Sequence, residues 1–204
     1  MNCIKPLSVL IFAAGMLSAG CENNSVAPDF PLETPDPIDS TDYEIYSLIL
    51  NETFSSEKIV IAQKSIDHIR VTFDDDYIDH FTENFPDFDT TLVENLCEVN
   101  DTTYLFADKF HSDDNQLIVV SPDELAHIFD SRDVNNNWQE FYQKYKNAVG
   151  YIRFSRIGYN DDKDQAILDT GYYFGSLGAE GNIIYLVKEK GQWVIKDRMM
   201  TWIS

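Results

Sequence analysis

Cysteine is scarce in this sequence: Cys3, Cys21 and Cys97 are the only thiols in 204 residues. None of them has a cysteine or histidine partner at the spacing of a metal site. Cys97 follows Val93 by four residues, a helical interval, within the run TTLVENLCEV. We therefore expect Cys97 to be a buried apolar thiol rather than a nucleophile.

Basic residues are also few, since 15 Lys and Arg stand against 35 Asp and Glu, a formal net charge of −20. The acidic excess lies in residues 21–131, which hold 26 acidic and 4 basic residues, whereas residues 132–204 hold 9 and 10. A strongly acidic surface repels phosphate backbones and anionic lipid headgroups. This excludes nucleic acid as a partner and a basic patch as a membrane anchor, and the simplest role for the charge is solubility.

A long hydrophobic run is absent as well. The apolar stretch at residues 7–19, LSVLIFAAGMLSA, is shorter than the about 20 residues that a bilayer-spanning helix needs. It is typical of the hydrophobic region of a signal peptide, which we predict to comprise residues 1–20. Ser18, Ala19 and Gly20 then lead directly into Cys21.

The run into Cys21 resembles a bacterial lipobox, in which the cysteine thiol takes a diacylglycerol and the signal peptide is cleaved just before it. The usual pattern has an aliphatic residue three positions before the cysteine, where this chain has Ser18. The alternative is an ordinary secretory signal with a chance cysteine at its end. Lipidation of Cys21 is favoured, and it implies a protein held in the bacterial cell envelope by its lipid. Cys97 is then the one free thiol, which excludes an intramolecular disulfide.

The segment that follows the lipidation site is acidic and rich in proline. Residues 22–42 hold four prolines and six acidic residues, with few large apolar side chains. Residues 21–42 are therefore predicted to be a disordered tether. At about 3 Å per residue it would hold residues 43–204, a single globular domain, about 60 Å from the bilayer. Glu22 replaces the aspartate associated with inner-membrane retention in some bacteria, which favours the outer membrane.

Helical patterns precede strand patterns in the folded part, so we predict an α+β fold. Short turns such as Lys190-Gly191 imply that the C-terminal strands form an antiparallel β-meander with the N-terminal helices packed on it. Helix starts are predicted from a capping box at Thr41 and Glu44 and from Ser121 before Pro122. The runs that read as strands are KIVIAQ, TYLF and QLIVV, followed by YIRFSRIGYN, QAILDTGYYF, NIIYLVKEK and QWVIKDRMMTWI.

The C-terminal third, residues 138–204, carries FYQKY, FSRIGYN, DQAIL, a Gly-rich turn, YLVKEKGQW and TWIS. In these elements it resembles an uncharacterised group of bacterial exported and lipoprotein-like proteins. The resemblance implies a shared fold and no particular activity. The order of helices followed by a curved sheet is also similar to a nuclear-transport-factor-2-like roll.

Polar residues interrupt the first of the C-terminal strands. The apolar positions change parity between Phe154 and Ile157, which predicts either a bulge near Ser155-Arg156 or a strand buried on both faces. Arg153, Ser155 and Arg156 could bind an anion or a carboxylate, because guanidinium groups suit bidentate acceptors. The alternative, which we favour, is that these arginines form ion pairs with Asp169 or Asp197 on neighbouring strands. Burying an arginine without such a partner would cost free energy of folding.

Motifs of catalysis and of metal binding are missing. Four scattered histidines form no H-E-x-x-H, although His127 has helical spacing to Asp123 and Asp130. The run YNDDKDQAI starts like a calcium loop but has Gln165 at the glycine position, so we expect a hairpin turn. Ser176 lacks the G-x-S-x-G context of a nucleophile, and a wide hairpin loop is expected there. No cofactor, metal or catalytic residue is predicted.

Two hypotheses for function follow from these observations. The first is a non-catalytic envelope lipoprotein whose domain binds a protein or a small ligand. The second is an envelope hydrolase whose site is assembled from residues distant in sequence. A pocket that holds Arg156 together with a histidine and a carboxylate would favour the hydrolase. We favour the binding protein.

Overall fold

The computed structural model describes residues 29–66 and 75–204, and these residues contain five helices and seven strands. The predicted signal peptide, Cys21 and His68 lie outside these residues. No helix in the described ranges is long and apolar enough to cross a bilayer. The helices are α1 (Ser40–Thr53), α2 (Asp75–Asn84), α3 (Thr91–Val99), α4 (Pro122–Ile128) and α5 (Val134–Lys144). The strands are β1 (Lys58–Ala62), β2 (Gln116–Val120), β3 (Ala148–Phe154), β4 (Gly158–Tyr159), β5 (Gln165–Gly175), β6 (Gly178–Glu189) and β7 (Gln192–Ile203).

The strands form one mixed sheet in the order β2-β1-β3-β5-β6-β7, with β4 beside β5. The α+β class is confirmed, and β3, β5, β6 and β7 pair antiparallel as predicted. β1 lies parallel to both β2 and β3, so the N-terminal half contributes strands to the same sheet as well as helices. The TYLF run forms only an isolated bridge, between Lys64 and Leu105, instead of a strand.

Alternating side chains of the central strands face two different layers of helices. Leu168 and Ile184 pack with α1, whereas Ile167 and Ile183 pack against α2 and α3. A third apolar cluster, centred on Phe141 of α5, covers β1, β2 and the start of β3. Burial of all of these apolar side chains is the main favourable term in the stability of the fold.

The helix ends show where the capping predictions hold. Ser121 caps α4, with its Oγ accepting from the Glu124 N–H at 3.2 Å, as predicted. At α1 the predicted capping box is wrong, because Asp39 is the N-cap and its carboxylate accepts from the Thr41 N–H at 2.9 Å. Aspartate is among the strongest N-cap residues, and it precedes the threonine in the chain.

Cys97 is exposed, which corrects the prediction of a buried thiol. Leu92 and Leu96 are fully buried, but α3 presents only a narrow stripe to the sheet and Cys97 is just outside it. Partial desolvation, with the neighbouring Asp101 carboxylate, raises the pKa of the thiol. Little thiolate is therefore present at neutral pH, and a nucleophilic role is not supported.

Residues 29–39 are docked on the domain, which corrects this part of the predicted free tether. Asp36 donates its N–H to the Leu105 carbonyl and accepts the Leu105 N–H on its carboxylate, at 2.9 and 2.8 Å. Gln63 exchanges two hydrogen bonds with the backbone of Glu33, at 2.9 and 2.8 Å. Ile38 packs against the core cluster of α1. Composition alone misses such backbone pairing, because it depends on partners far away in the sequence.

The sheet has a bulge between β3 and β4, as one of the two sequence interpretations predicted. Phe154 lies opposite Thr170 and Gly158 opposite Ile167, so four steps along one strand match three along β5. β3 itself alternates between buried and half-buried side chains, which excludes a strand buried on both faces. The bulge lifts residues 155–157 out of the regular ladder.

The turns of the C-terminal sheet are tight. Lys190 and Gly191 connect β6 to β7 with φ of 50° and 85°, as predicted. The glycine-rich run closes in a turn of two residues, Ser176 and Leu177, and not in the wide loop that we expected. β7 carries two bulges against β6, at Lys196 and at Thr201.

Candidate functional site

A cleft of about 420 Å³ lies beside the bulge, where the start of α1, the end of α3 and the turn after β4 meet. Charged and hydrogen-bonding side chains line most of it. Those used below are Asp39, Asp42, Tyr104, Arg156, Tyr159, Asp161 and Lys163. The volume is within the range of small-molecule sites in proteins.

Arg156 lines the cleft, and two contacts hold its guanidinium group. Its Nη1 donates to the Val99 carbonyl at the C-terminal end of α3, at 2.7 Å. The guanidinium carbon lies 3.6 Å from the centre of the Tyr104 ring, a stacked cation–π contact. A cation at a helix C-terminus also offsets the negative end of the helix dipole.

The predicted ion pairs of Arg156 are not formed. Among the described residues, no carboxylate lies within 4 Å of its guanidinium nitrogens. Asp197 lies 2.7 Å from His80 Nε2 instead. Asp169 is buried on β5, where its N–H donates to Ser155 Oγ at 2.8 Å. The bulge turns Arg156 toward the end of α3, away from both predicted partners.

Asn100 fixes the bulge to the end of α3. This side chain is only 4% exposed. Its Oδ1 accepts from the Arg156 N–H at 2.8 Å, and its Nδ2 donates to the Arg156 carbonyl at 3.2 Å and to the Leu96 carbonyl at 2.8 Å. The amide thus replaces the two ladder hydrogen bonds that Arg156 loses at the bulge.

A carboxylate and a phenol face the cleft near Arg156. The Tyr159 hydroxyl donates to Asp42 Oδ1 at 2.8 Å. Burial raises the pKa of Asp42 and outweighs that hydrogen bond, which acts in the opposite direction. Burial, together with the negative charge of Asp42, raises the pKa of Tyr159, so the tyrosine remains a neutral donor.

The turn after β4 brings further charges to the cleft mouth. Asn160 Oδ1 accepts the N–H groups of Asp164 and Gln165 at 3.1 and 3.0 Å, and Lys163 has a positive φ of 52°. This confirms the predicted Asn/Asp turn. The turn leaves Asp161 and Lys163 at the edge of the cleft.

Of the three polar strand residues singled out in the sequence, only Arg156 lines the cleft. Arg153 donates from Nη2 to the Ser65 carbonyl at 3.0 Å. Ser155 is fully buried, and its Oγ donates to the Arg156 carbonyl at 2.7 Å while accepting from Asp169. Ser155 is therefore a structural residue of the bulge.

The described histidines lie away from the cleft. His80 lies beside Asp197 of β7, and His111 beside the exposed Asp113 at 3.2 Å. His127 lies 4.0 Å from Glu140 of α5, which replaces the predicted partners Asp123 and Asp130. Within residues 29–66 and 75–204, no group of three or more His, Cys, Asp and Glu side chains is arranged to hold a metal ion.

Sequence reasoning missed Asp42, Tyr104 and Tyr159 as cleft residues. Tyr159 lies two residues from the predicted bulge and next to the Asn/Asp turn, a signal that could have placed it beside Arg156. Asp42 and Tyr104 come from a helix start and a loop far away in sequence, and nothing local marks them.

Comparison of the chain with protein-family models, with curated proteins and with solved structures gives no match. The similarity to a nuclear-transport-factor-2-like roll therefore stays an expectation from the order of elements.

Proposed function

We propose that this chain is a lipid-anchored protein of the bacterial cell envelope whose folded domain binds a small polar molecule without catalysing a reaction. The observation that carries the binding role is Arg156. Its guanidinium group is oriented by Val99 and Tyr104, faces a cleft of about 420 Å³, and has no carboxylate partner among the described residues. An oriented guanidinium group of this kind is suited to bind an acceptor from outside the protein.

The alternative of an envelope hydrolase has no supporting contact in the described cleft. No described histidine lines it. Tyr159 is hydrogen-bonded to Asp42, and the raised pKa of the phenol opposes its use as a nucleophile or base at neutral pH. The cleft offers donors, acceptors and charge, which are the components of a binding site.

The docked segment shortens the distance between the proposed anchor and the domain. Seven residues, 22–28, separate Cys21 from Asp29. Fully extended, they span at most about 25 Å. If Cys21 is acylated, the domain lies close to the bilayer surface.

The anchor is tested by metabolic labelling with a fatty-acid analogue. Label on the wild-type chain and none on Cys21→Ser is the expected result. Equal labelling of both chains would remove the lipid anchor from the proposal and leave the binding role in place.

The binding role is tested on protein extracted from cells in mild detergent and measured by native mass spectrometry. We expect a small-molecule adduct on the wild type that is lost in Val99→Phe, in which a ring enters the cleft while the backbone carbonyl used by Arg156 remains. Val134→Phe, at an exposed position on α5, is the matched control and should keep the adduct. No adduct on wild type, or the same adduct on all three proteins, would contradict a binding role for the cleft.

A further inference from the structure

We propose that the ligand of this cleft is a zwitterion, a small molecule with a carboxylate that binds Arg156 and an ammonium group that binds Asp42. This inference rests on the proposed function and names the ligand class for the same site. It follows from two charged groups that line one cleft without pairing with each other. Within the described residues, no ion pair closer than 4 Å joins Arg156 to Asp42.

The cationic side of the cleft is oriented for a planar acceptor. Val99 takes one guanidinium N–H, and the Tyr104 ring covers one face of the group. The remaining N–H groups lie in the guanidinium plane, where a carboxylate can accept two of them side by side. The acidic chain offers many carboxylates, yet none in the described part of the chain occupies that position.

The anionic side of the cleft is suited to a compact cation. Asp42 Oδ1 is held by the Tyr159 hydroxyl at 2.8 Å, which fixes the carboxylate, and no described residue donates a hydrogen bond to Oδ2. Asp39 and Asp161 add two further negative charges to the lining. An ammonium group with three N–H donors would neutralise the half-buried charge of Asp42 and satisfy its second oxygen.

The overall charge of the lining separates a zwitterion from the other ligand classes. Three aspartates and two cations, Arg156 and Lys163, line the cleft. A simple anion would be attracted by Arg156 and repelled by the aspartates. A simple cation would be attracted by the aspartates and repelled by Arg156 and Lys163. A neutral sugar can hydrogen-bond to both half-buried groups but compensates the charge of neither. A zwitterion satisfies both and adds no net charge.

The separation between the two charges can be measured with a series of unbranched amino acids, from glycine to 6-aminohexanoate. Full-length protein in detergent micelles is titrated calorimetrically with each member, and also with the fatty acid and the alkylamine of the same length. At least one amino acid should bind at least tenfold more tightly than its matched acid and amine. Alanine and dialanine are added to distinguish a free amino acid from a peptide.

Two substitutions assign the two ends of the ligand. Arg156→Gln should weaken binding of the best zwitterion at least tenfold while leaving the affinity for the matched amine unchanged. Asp42→Asn should weaken the same zwitterion and leave the affinity for the matched acid unchanged. Arg198→Gln and Asp113→Asn, at exposed positions outside the cleft, are the matched controls and should bind like wild type. Thermal melts verify that all four variants fold.

Three outcomes would overturn the inference. A matched acid or amine that binds as tightly as the zwitterion would assign a simple ion site. Affinity that Arg156→Gln and Asp42→Asn leave unchanged would place the ligand elsewhere. A series with no binding member, on protein that still carries the Val99-dependent adduct, would exclude a zwitterion and keep the proposed function, whereas loss of the adduct as well would exclude both.

Discussion

The bulged segment 155–157 and the meander of β5, β6 and β7 satisfy their backbone groups in different ways. In the meander, the pairing is nearly continuous from Gln165 opposite Val187 to Gly175 opposite Gly178. In the bulged segment, side chains from other elements supply hydrogen bonds to the backbone. Asn100 binds both backbone groups of Arg156, and the Tyr46 hydroxyl donates to the Ser155 carbonyl at 2.9 Å.

The difference explains why the cleft lies at the bulge. A regular ladder fills the space beside each strand with a neighbouring strand, so side chains pack against side chains and leave little room. At the bulge, the chain departs from β5 and a helix end approaches it, which leaves space that polar groups line. The sheet supplies rigidity, and its irregular segment supplies the candidate site.

The largest loss of stability is expected at Gly158, which directly follows the bulged segment. A Cβ on Gly158 would lie 2.7 Å from the Leu96 N atom and 2.9 Å from the Leu92 carbonyl, both in the backbone of α3. Helix and strand would have to separate, so we expect Gly158→Ala to lower the free energy of unfolding by about 3 kcal/mol. Urea unfolding followed by circular dichroism measures it.

Gly181→Ala in the meander is the matched substitution. There a Cβ would meet the half-buried Trp202 indole, a side chain that can shift more easily than the backbone of a helix. We expect a smaller loss, about 1 kcal/mol. Equal losses at Gly158 and Gly181 would contradict the view that α3 is held against the bulge by backbone contact.

A further loss in the free energy of unfolding is expected for Asn100→Ala. It removes the buried amide and leaves the Arg156 N–H without its acceptor, whereas the Arg156 carbonyl keeps the Ser155 hydroxyl as a donor, so the free energy of unfolding should fall by about 2 kcal/mol. Asn136→Ala, at an exposed position of α5, should change it by less than about 0.5 kcal/mol. An unchanged denaturation midpoint for Asn100→Ala would show that water replaces the amide without loss.

Arg156 in the cleft and Arg198 in the meander should differ in how much they contribute to stability. For Arg156→Ala, the sequence predicted a buried carboxylate partner and hence a loss of about 3 kcal/mol or more. The structure shows one carbonyl and one aromatic ring as partners, which reduces the expected loss to about 1 kcal/mol. Arg198→Ala in β7 should lose less, about 0.5 kcal/mol, because Arg198 is exposed and gives up one hydrogen bond, from its Nη1 to Thr53 Oγ1 at 2.6 Å. A loss near 3 kcal/mol for Arg156→Ala would restore the ion-pair hypothesis.

The smallest effect is a dependence on pH at the start of α1. Burial raises the pKa of Asp42 above its usual 3.8, so the native state keeps a proton that the unfolded chain has lost. Stability therefore falls as the pH rises through the window above 3.8, and Asp42→Asn removes that penalty. The variant should be more stable than wild type at pH 7 by less than about 1 kcal/mol and equal to it below pH 3.8.

Asp39, three residues before Asp42, should give a pH dependence of stability with the opposite sign. Hydrogen bonds from the Thr41 N–H and hydroxyl lower the pKa of Asp39, so its contribution is present above pH 3.8 and is lost as the pH falls through the lowered value. Asp39→Asn should reduce the loss of stability that the wild type shows as the pH falls below 3.8. Unfolding curves between pH 2 and pH 7 measure both variants. Shifts of the same sign for the two would contradict the structural account.

Local signals predicted much of the fold. The Ser121-Pro122 cap, the Lys190-Gly191 turn and the parity change after Phe154 all depend on residues adjacent in the chain, and each was confirmed. The parallel placement of β1 between β2 and β3 was missed, because its pairing partners are distant in sequence and its short apolar run fits several sheets equally well.

The candidate site was predicted only in part for the same reason. Arg156 stands out as a cation in an apolar strand, but its real partners, Val99 and Tyr104, present a backbone carbonyl and a ring. Neither of these has a sequence signature, whereas the carboxylates of Asp169 and Asp197 do. Predicting a charge partner from charge alone favoured the wrong contacts.

The two bulges of β7 bear on how copies of this protein behave when they are crowded together. β7 is the edge of the sheet, with β6 on one side and no strand of the described chain on the other. A straight edge of 12 residues would be a template for adding a strand from a second copy, and so for aggregation. The extra residues Lys196 and Thr201 break the repeat of backbone donors and acceptors along that edge, and Lys196, which pairs with Glu189, adds a charged side chain there. The edge is thereby poorly matched to another copy of itself, which favours dispersed molecules on a membrane surface where the proposed anchor would concentrate them.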